Sequence, residues 1–184
     1  MASDTPSILA AFTFPDMFRA SEFLTATLRL SNDKRLVLKD AVYVIKGDDG
    51  RVHVEETTDV KTASAAMGGG LWAGLFGLLL GGPVGMLAAG GVGAGVGAIA
   101  AKAIDIGISD SFVDDLREMV APGTVTLALL VDHIDEASVL AELQRFEGAR
   151  YVAGNLPMSA IEAVRDAVGD PQPMSASPLP PPML

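Results

Sequence analysis

Residues 62–101 read TASAAMGGGLWAGLFGLLLGGPVGMLAAGGVGAGVGAIAA and contain no ionisable side chain. This uncharged run lies between Lys61 and Lys102 and holds 13 of the chain's 20 glycines. A helix needs roughly 20 apolar residues to cross a bilayer, so the run is long enough for two such helices. Its length and composition indicate paired helices that are hidden from water.

The turn of the expected hairpin lies in the middle of the run, at Gly81-Gly82-Pro83. Proline lacks a backbone donor and disfavours helix in the preceding residue, so the first helix is expected to end near Gly82. The two arms, residues 64–81 and 83–101, would each be about 28 Å long at the helical rise per residue. The sequence therefore predicts a helical hairpin over residues 62–102, with Gly82 and Pro83 at its turn.

Small residues recur at intervals of four on both arms of the hairpin. Glycine destabilises a water-exposed helix by about 1 kcal/mol per residue. On a buried face, however, small residues let two helix backbones approach closely. We expect helix packing and self-association at Gly70, Gly74, Gly77, Gly81, Gly93 and Gly97. The side chains expected to face lipid are Leu71, Trp72, Leu75, Phe76, Leu78, Leu79 and Leu80.

Two interpretations of the hairpin stay open at this point. The absence of charge favours a hairpin that spans the membrane. The second arm consists mostly of alanine and glycine, which instead favours a hairpin lying on a membrane or buried between the subunits of a soluble oligomer. A nucleotide site is not expected, because the loose GxGxxA pattern of residues 93–98 has neither the preceding strand nor the later acidic residue that a dinucleotide fold requires.

The residues on either side of the uncharged run predict a mixed α+β domain. Residues 124–131, TVTLALLV, form a continuous apolar run that is typical of a central strand covered on both faces. Gly47-Asp48-Asp49-Gly50 is a hairpin signal between two alternating segments. Strands are expected at residues 8–13, 41–46, 51–57, 124–131 and 150–155, and helices at residues 15–30, 109–120, 136–146 and 159–168.

The order of these elements suggests a split domain. Residues 8–45 and 124–156 each read strand–helix–strand, and two such halves sharing one sheet form a ferredoxin-like two-layer domain. We expect that domain to comprise residues 1–61 and 103–168, with the glycine-zipper hairpin of residues 62–102 inserted between its halves. Residues 169–184 form a tail rich in proline, and its composition predicts disorder.

The chemistry-bearing residues give no sign of an enzyme. The chain has no cysteine, and its two histidines, His53 and His133, fall in different halves of the predicted domain. Paired carboxylates such as Asp114-Asp115 stand at helix starts and turns, where they favour solubility and the helix dipole. We expect no catalytic residue, no cofactor, no metal and no small-molecule substrate. A net charge of −10 argues against nucleic acid as a partner.

Three stretches of the sequence resemble a known family. They are LFGLLLGGPVG at residues 75–85, IDIGISDSFVDDL at residues 104–116 and PGTVTLALLV at residues 122–131. In this order they resemble the bacterial and archaeal predicted membrane proteins catalogued as a domain of unknown function (DUF 1269-like), over about residues 5–168. The resemblance implies a membrane location and no established activity.

These observations lead to one leading hypothesis and one main alternative. A third hypothesis, a small-molecule or metal-binding sensor that uses the face of the sheet, would need a pocket with converging polar groups. The leading hypothesis is a non-enzymatic protein of the cytoplasmic membrane, anchored by the glycine-zipper hairpin, which also drives homo-oligomerisation, with a structural or stress-related role. Both termini are expected in the cytoplasm, because residues 1–12 lack the basic and apolar regions of a signal peptide. The alternative is a soluble, cytoplasmic, self-assembling structural protein (shell, ring or filament) with the hairpin buried between its subunits.

Overall fold

The apolar and alternating runs outside the glycine-rich segment form the strands of one antiparallel sheet. The computed structural model describes residues 7–57, 69–88 and 107–168. In these ranges the strands are β1 (Ser7–Phe14), β2 (Leu36–Lys46), β3 (Val52–Glu56), β4 (Val125–Ile134) and β5 (Arg150–Leu156). Their order is β3-β2-β4-β1-β5, and each neighbouring pair is antiparallel. The predicted α+β class is therefore confirmed.

β4 lies at the centre of the sheet because its sequence suits burial on both faces. Residues 125–131 are buried without interruption, as the continuous apolar run predicts. Ala128 of β4 lies opposite Ala11 of β1 on one side and opposite Val42 of β2 on the other. The central strand identified from the sequence is therefore confirmed.

Five helices cover the sheet in the described ranges: α1 (Met17–Asn32), α2 (Gly69–Ala88), α3 (Asp110–Met119), α4 (Glu136–Leu143) and α5 (Met158–Val168). Side-chain caps set the starts of two of them. The carboxylate of Asp16 accepts a hydrogen bond from the backbone N–H of Arg19 at 2.8 Å, and the Ser109 hydroxyl accepts one from Phe112 N–H at 3.3 Å. Such bonds satisfy amide groups that have no partner inside the helix.

The two faces of the sheet carry separate apolar clusters. On one face, α1 and α4 enclose a group of aromatic rings, with the ring centres of Phe12 and Phe23 4.8 Å apart and those of Phe14 and Phe23 5.3 Å apart. On the other face, α2, α3 and α5 pack together over the sheet. The fold therefore has two apolar layers, one on each side of the central strands.

The position of α2 corrects the prediction that its bulky side chains face lipid. Six of the seven side chains are buried in the same cluster as Leu9, Val44 and Leu130 of the sheet, and the seventh, Leu80, is half-buried. Residues 74–79 are buried consecutively, so every side of this part of the helix is covered. A helix that is apolar all round is typical of a membrane span and of a protein core alike, so the pattern alone did not distinguish them.

The predicted turn at Gly82 and Pro83 is wrong, since α2 runs through both residues to Ala88. Pro83 has no N–H to donate to the carbonyl group of Leu79, four residues earlier. The guanidinium Nε of Arg117 in α3 donates to that carbonyl oxygen instead, at 2.8 Å. A side chain from a neighbouring helix thus replaces the missing backbone hydrogen bond, and the helix continues through the proline.

Some of the predictions concern residues outside the described ranges. They include the part of the second arm after Ala88, with Gly93 and Gly97, and the tail at residues 169–184. These stay predictions. Within the described ranges, no helix combines the length and the apolar character that crossing a bilayer requires.

Candidate functional site

The predicted packing glycines of the first arm lie on α2, and they fall into different environments. Gly74 and Gly77 are buried within the chain's own fold. Gly81 is exposed, and a Cβ atom built on it would meet no other atom of the described residues within 4 Å. Gly70 also belongs to α2, together with the predicted turn residues Gly82 and Pro83. Gly74 and Gly77 therefore lie inside the fold, while Gly81 lies at the surface of the described residues.

A buried hydrogen bond ties α2 to the sheet. The indole Nε1 of Trp72 donates to Oδ2 of Asp40 at 3.0 Å, and Oδ1 of Asp40 accepts from the backbone N–H of Ala41 at 2.9 Å. Asp40 is only 7% exposed and Trp72 is fully buried. Because a buried carboxylate is costly without hydrogen bonds, the indole donor contributes to the stability of both groups.

An irregularity in β2 turns Asp40 towards α2. Leu36 and Leu38 pack in the cluster under α1, as alternate residues of one strand should. The pairing of β2 with β4 shifts register between Leu38 and Asp40. Beyond the shift, Val42 packs in the cluster under α2, and Asp40 reaches Trp72 on that side. The shift therefore changes which face of the sheet the even-numbered residues occupy.

A cavity of about 270 Å³ lies at the opposite end of the sheet, between β1, β5 and α4. α4 has only eight residues and leaves this strip of the sheet open. The walls are mainly apolar and include Ile8, Ala10, Phe12, Val139, Leu140 and Ala153. Its polar groups include the side chains of Glu136 and Tyr151, with the Tyr151 hydroxyl donating to Oε1 of Glu136 at 3.2 Å. Partial burial, and then the hydrogen bond and charge of Glu136, raise the pKa of Tyr151.

The acidic groups near the end of β4 have local structural partners. Asp132 contacts Lys39 at 3.0 Å and accepts a hydrogen bond from the Ser7 hydroxyl at 2.9 Å. Asp135 accepts from the Ser138 hydroxyl at 2.7 Å and from Arg35 at 3.1 Å. The hydrogen bond from Ser138, aided by Arg35, lowers the pKa of Asp135. These contacts connect β1, β2 and the start of α4.

The two histidines do not come together. His53 lies opposite Ile45, which in turn lies opposite Val125 near the start of β4. His133 stands eight residues further along β4, a separation of about 26 Å at the rise of a strand. In the part of the chain that the structure describes, no three histidine or carboxylate side chains form a metal-binding group.

Several of these contacts were missed from the sequence because their partners are far apart in the chain. Trp72 lies 32 residues after Asp40, and Arg117 lies 38 residues after Leu79. One signal for the first pair was present, since a single acid interrupts the apolar residues of β2 and a buried indole usually needs an acceptor. The cavity beside β5 had no comparable signal, because it depends on how far α4 extends over the sheet.

Comparison with known proteins identifies a family for this chain. No curated protein and no solved structure matches it. The model of the family described as "Protein of unknown function (DUF1269)" matches residues 66–169, which is more than half of the 184 residues. The matched stretch contains α2, α3, β4, α4, β5 and α5. The predicted resemblance is thereby confirmed over this stretch, whereas its extension over residues 5–65 and the membrane location that it implies stay predictions. The chain belongs to the DUF1269 family of proteins of unknown function.

Proposed function

We propose that this chain is a non-enzymatic structural protein that assembles with copies of itself. The observation that carries the proposal is the burial of α2 against the chain's own sheet. The large apolar side chains of α2, which could otherwise contact lipid, are buried in the core of each subunit. Contacts between subunits are then left to surfaces such as exposed Gly81 and the outer strands of the sheet.

The arrangement of charged groups supports a structural role. Asp132 and Asp135 each bond to groups on other elements, and the Asp40 carboxylate holds α2 through Trp72. Arg117 completes the backbone hydrogen bonding of α2 rather than facing an open site. These side chains stabilise the fold, and such a role is expected of charged groups in a structural protein.

The test is the mass of the purified full chain in detergent-free buffer, measured by light scattering after size-exclusion chromatography. The proposal predicts discrete particles that contain more than one chain. A monodisperse single chain over the micromolar range would overturn it.

Membrane attachment is a second proposal, supported by the 40 uncharged residues between Lys61 and Lys102. Here the glycine-rich run attaches the domain to the cytoplasmic membrane, with both termini in the cytoplasm, and the same run promotes homo-oligomerisation. Flotation of the full chain with lipid vesicles distinguishes the two proposals. Recovery of the full chain with the vesicles supports attachment, whereas recovery entirely in the lipid-free fraction overturns it.

We further propose a ferredoxin-like description of the domain. The strand order without β3, which is β2-β4-β1-β5, supports this description. So does the packing of α1 and α4 on one face of the sheet, because these helices connect the strands of the two halves. β3 is then an added edge strand, and α2, α3 and α5 form an added layer on the other face. An experimental structure of residues 1–168 with a different strand order would contradict this description.

A further inference from the structure

Among the residues that the structure describes, no strand pairs with the outer edge of β5. β5 pairs with β1 along all seven of its residues, from Ser7 opposite Leu156 to Thr13 opposite Arg150. It is the last strand in the sheet order of the described residues. An edge strand presents a row of backbone N–H and C=O groups that can pair with another strand.

β5 lacks the features that usually protect such an edge. Its sequence, RYVAGNL, has one charge, on Arg150 at its first residue, and it has no proline. At the opposite edge, β3 has the sequence VHVEE, in which three of the five side chains are ionisable. Charged side chains keep an edge in water, so β3 is protected and β5 is not.

Apolar side chains are also exposed beside β5. Tyr151 is 40% exposed, and Met158, just beyond the strand, is 53% exposed. The ring of Phe112 in α3 packs against Gly154 of the strand, so closely that a Cβ atom built on Gly154 would lie 2.7 Å from the ring. A partner strand at this edge would pair with an ordered backbone and cover part of the apolar surface.

We propose that β5 is a self-association surface, on which β5 of a second copy adds as an antiparallel strand. Pairing the two strands end to end places Ala153 opposite Ala153 of the second copy, on a twofold axis, and Tyr151 opposite the second copy's Asn155. The result is one continuous ten-stranded sheet. Such a contact is isologous and closes at two subunits.

The charges favour a second copy as the partner. The chain carries a net charge of −10, so copies approach each other with least repulsion at a surface without acidic side chains. β5 has none. In the end-to-end pairing the two Arg150 side chains are about 20 Å apart, since six residues of strand separate them, and this is beyond the screening length in physiological salt. No like charges lie opposite one another.

This inference rests on the proposed self-assembly and names the surface responsible for it. The chain has no cysteine, so a single introduced cysteine reports one contact. Ala153 is exposed, and replacing it with cysteine adds little volume. Residues directly opposite in antiparallel strands have Cα atoms about 4.5–5.5 Å apart, which is within the range for a disulfide. Exposed His53 on β3 provides the matched control.

We expect the full-length Ala153→Cys chain to form a disulfide-linked dimer under mild oxidation, and the His53→Cys chain to stay unlinked. Ala153→Lys should raise the dissociation constant of the dimer by about tenfold or more, because two ammonium groups would then lie opposite each other. Ala153→Ser should leave the dissociation constant unchanged. Circular dichroism of each variant checks that the domain is folded.

The possible outcomes separate this inference from the proposed function. A multimeric wild-type chain with no Ala153→Cys cross-link above the His53→Cys level overturns pairing through β5 and leaves self-assembly standing. Cross-linking that needs a mixture of the two cysteine variants indicates head-to-tail pairing of β5 with β3 and also overturns the twofold contact. A monomeric wild-type chain overturns both.

Discussion

Trp72 is the chain's single tryptophan. The hydrogen bond from its indole to Asp40 of β2 joins α2 directly to the sheet. Around this contact the packing is apolar, with the rings of Trp72 and Phe76 stacked at 5.8 Å. Dispersion and apolar burial favour many similar placements of a helix, whereas a hydrogen bond specifies one. At the scale of single residues, this pair therefore contributes a directional contact to the position of α2.

Replacing Trp72 with Phe should lower the free energy of unfolding by about 1–3 kcal/mol, because the buried carboxylate of Asp40 loses a donor. The measurement is denaturant unfolding followed by circular dichroism. In an Asp40→Ala background the same replacement should cost less, since no acceptor is left. Equal costs in the two backgrounds would contradict the proposed importance of the hydrogen bond.

Tyr151 provides a test of the cavity beside β5. Partial burial is the largest cause of the raised pKa of Tyr151, and the hydrogen bond to Glu136 and the negative charge of Glu136, which disfavours the tyrosinate, raise it further. Glu136→Gln removes that charge, so the pKa of Tyr151 should fall towards its ordinary value of 10.0. The measurement is an NMR titration of the Tyr151 ring. Glu142→Gln, also on α4 but paired with Arg145, is the control and should leave the pKa unchanged.

At the scale of elements, α2 continues through Pro83 because a side chain of α3 donates the hydrogen bond that the proline cannot donate. A proline inside a helix usually costs about 3 kcal/mol, partly through the carbonyl group left without a partner. Arg117 binds that carbonyl group on Leu79. Arg117 also forms an ion pair with Asp114 at 3.6 Å, but this pair is exposed and adds little to stability.

The hydrogen bond between Arg117 and Leu79 predicts that substitutions at Pro83 and Arg117 have non-additive effects on the free energy of unfolding. Arg117→Leu should lower the free energy of unfolding by about 1 kcal/mol in the wild-type chain. In the Pro83→Ala background the backbone N–H of Ala binds Leu79, so the same change should cost clearly less. A double-mutant cycle measured by denaturant unfolding gives the coupling. Strictly additive effects would contradict the account of the continuous helix.

The elements that were predicted correctly are those whose sequence signal lies in residues close together in the chain. The central strand β4 and the turn after β2 both follow from patterns within a few positions. The path of α2 does not, because the local rule for Gly-Gly-Pro predicts a turn and a side chain 38 residues from Leu79 overrides it. The start of β2 was missed because the register shift near Asp40 breaks the alternation of buried residues.

At the scale of the whole molecule, the most apolar described helix is part of the fold rather than an appendage to it. α2 packs against β3, α3 and α5 as well as the sheet cluster. The chain therefore uses part of its uncharged run to build one of its two apolar layers. The predicted site residues divide accordingly, with Gly74 and Gly77 inside the fold and Gly81 at its surface.

The fluorescence of Trp72 tests this central claim most directly, because the single tryptophan lies on the helix in question. The full chain is mixed with vesicles whose acyl chains carry bromine, and acrylamide quenching of the folded and the denatured chain serves as the control. The account predicts an emission that neither bromolipid nor acrylamide quenches in the folded chain, with acrylamide quenching restored on unfolding. Strong quenching by the brominated acyl chains would place α2 in lipid and contradict the account.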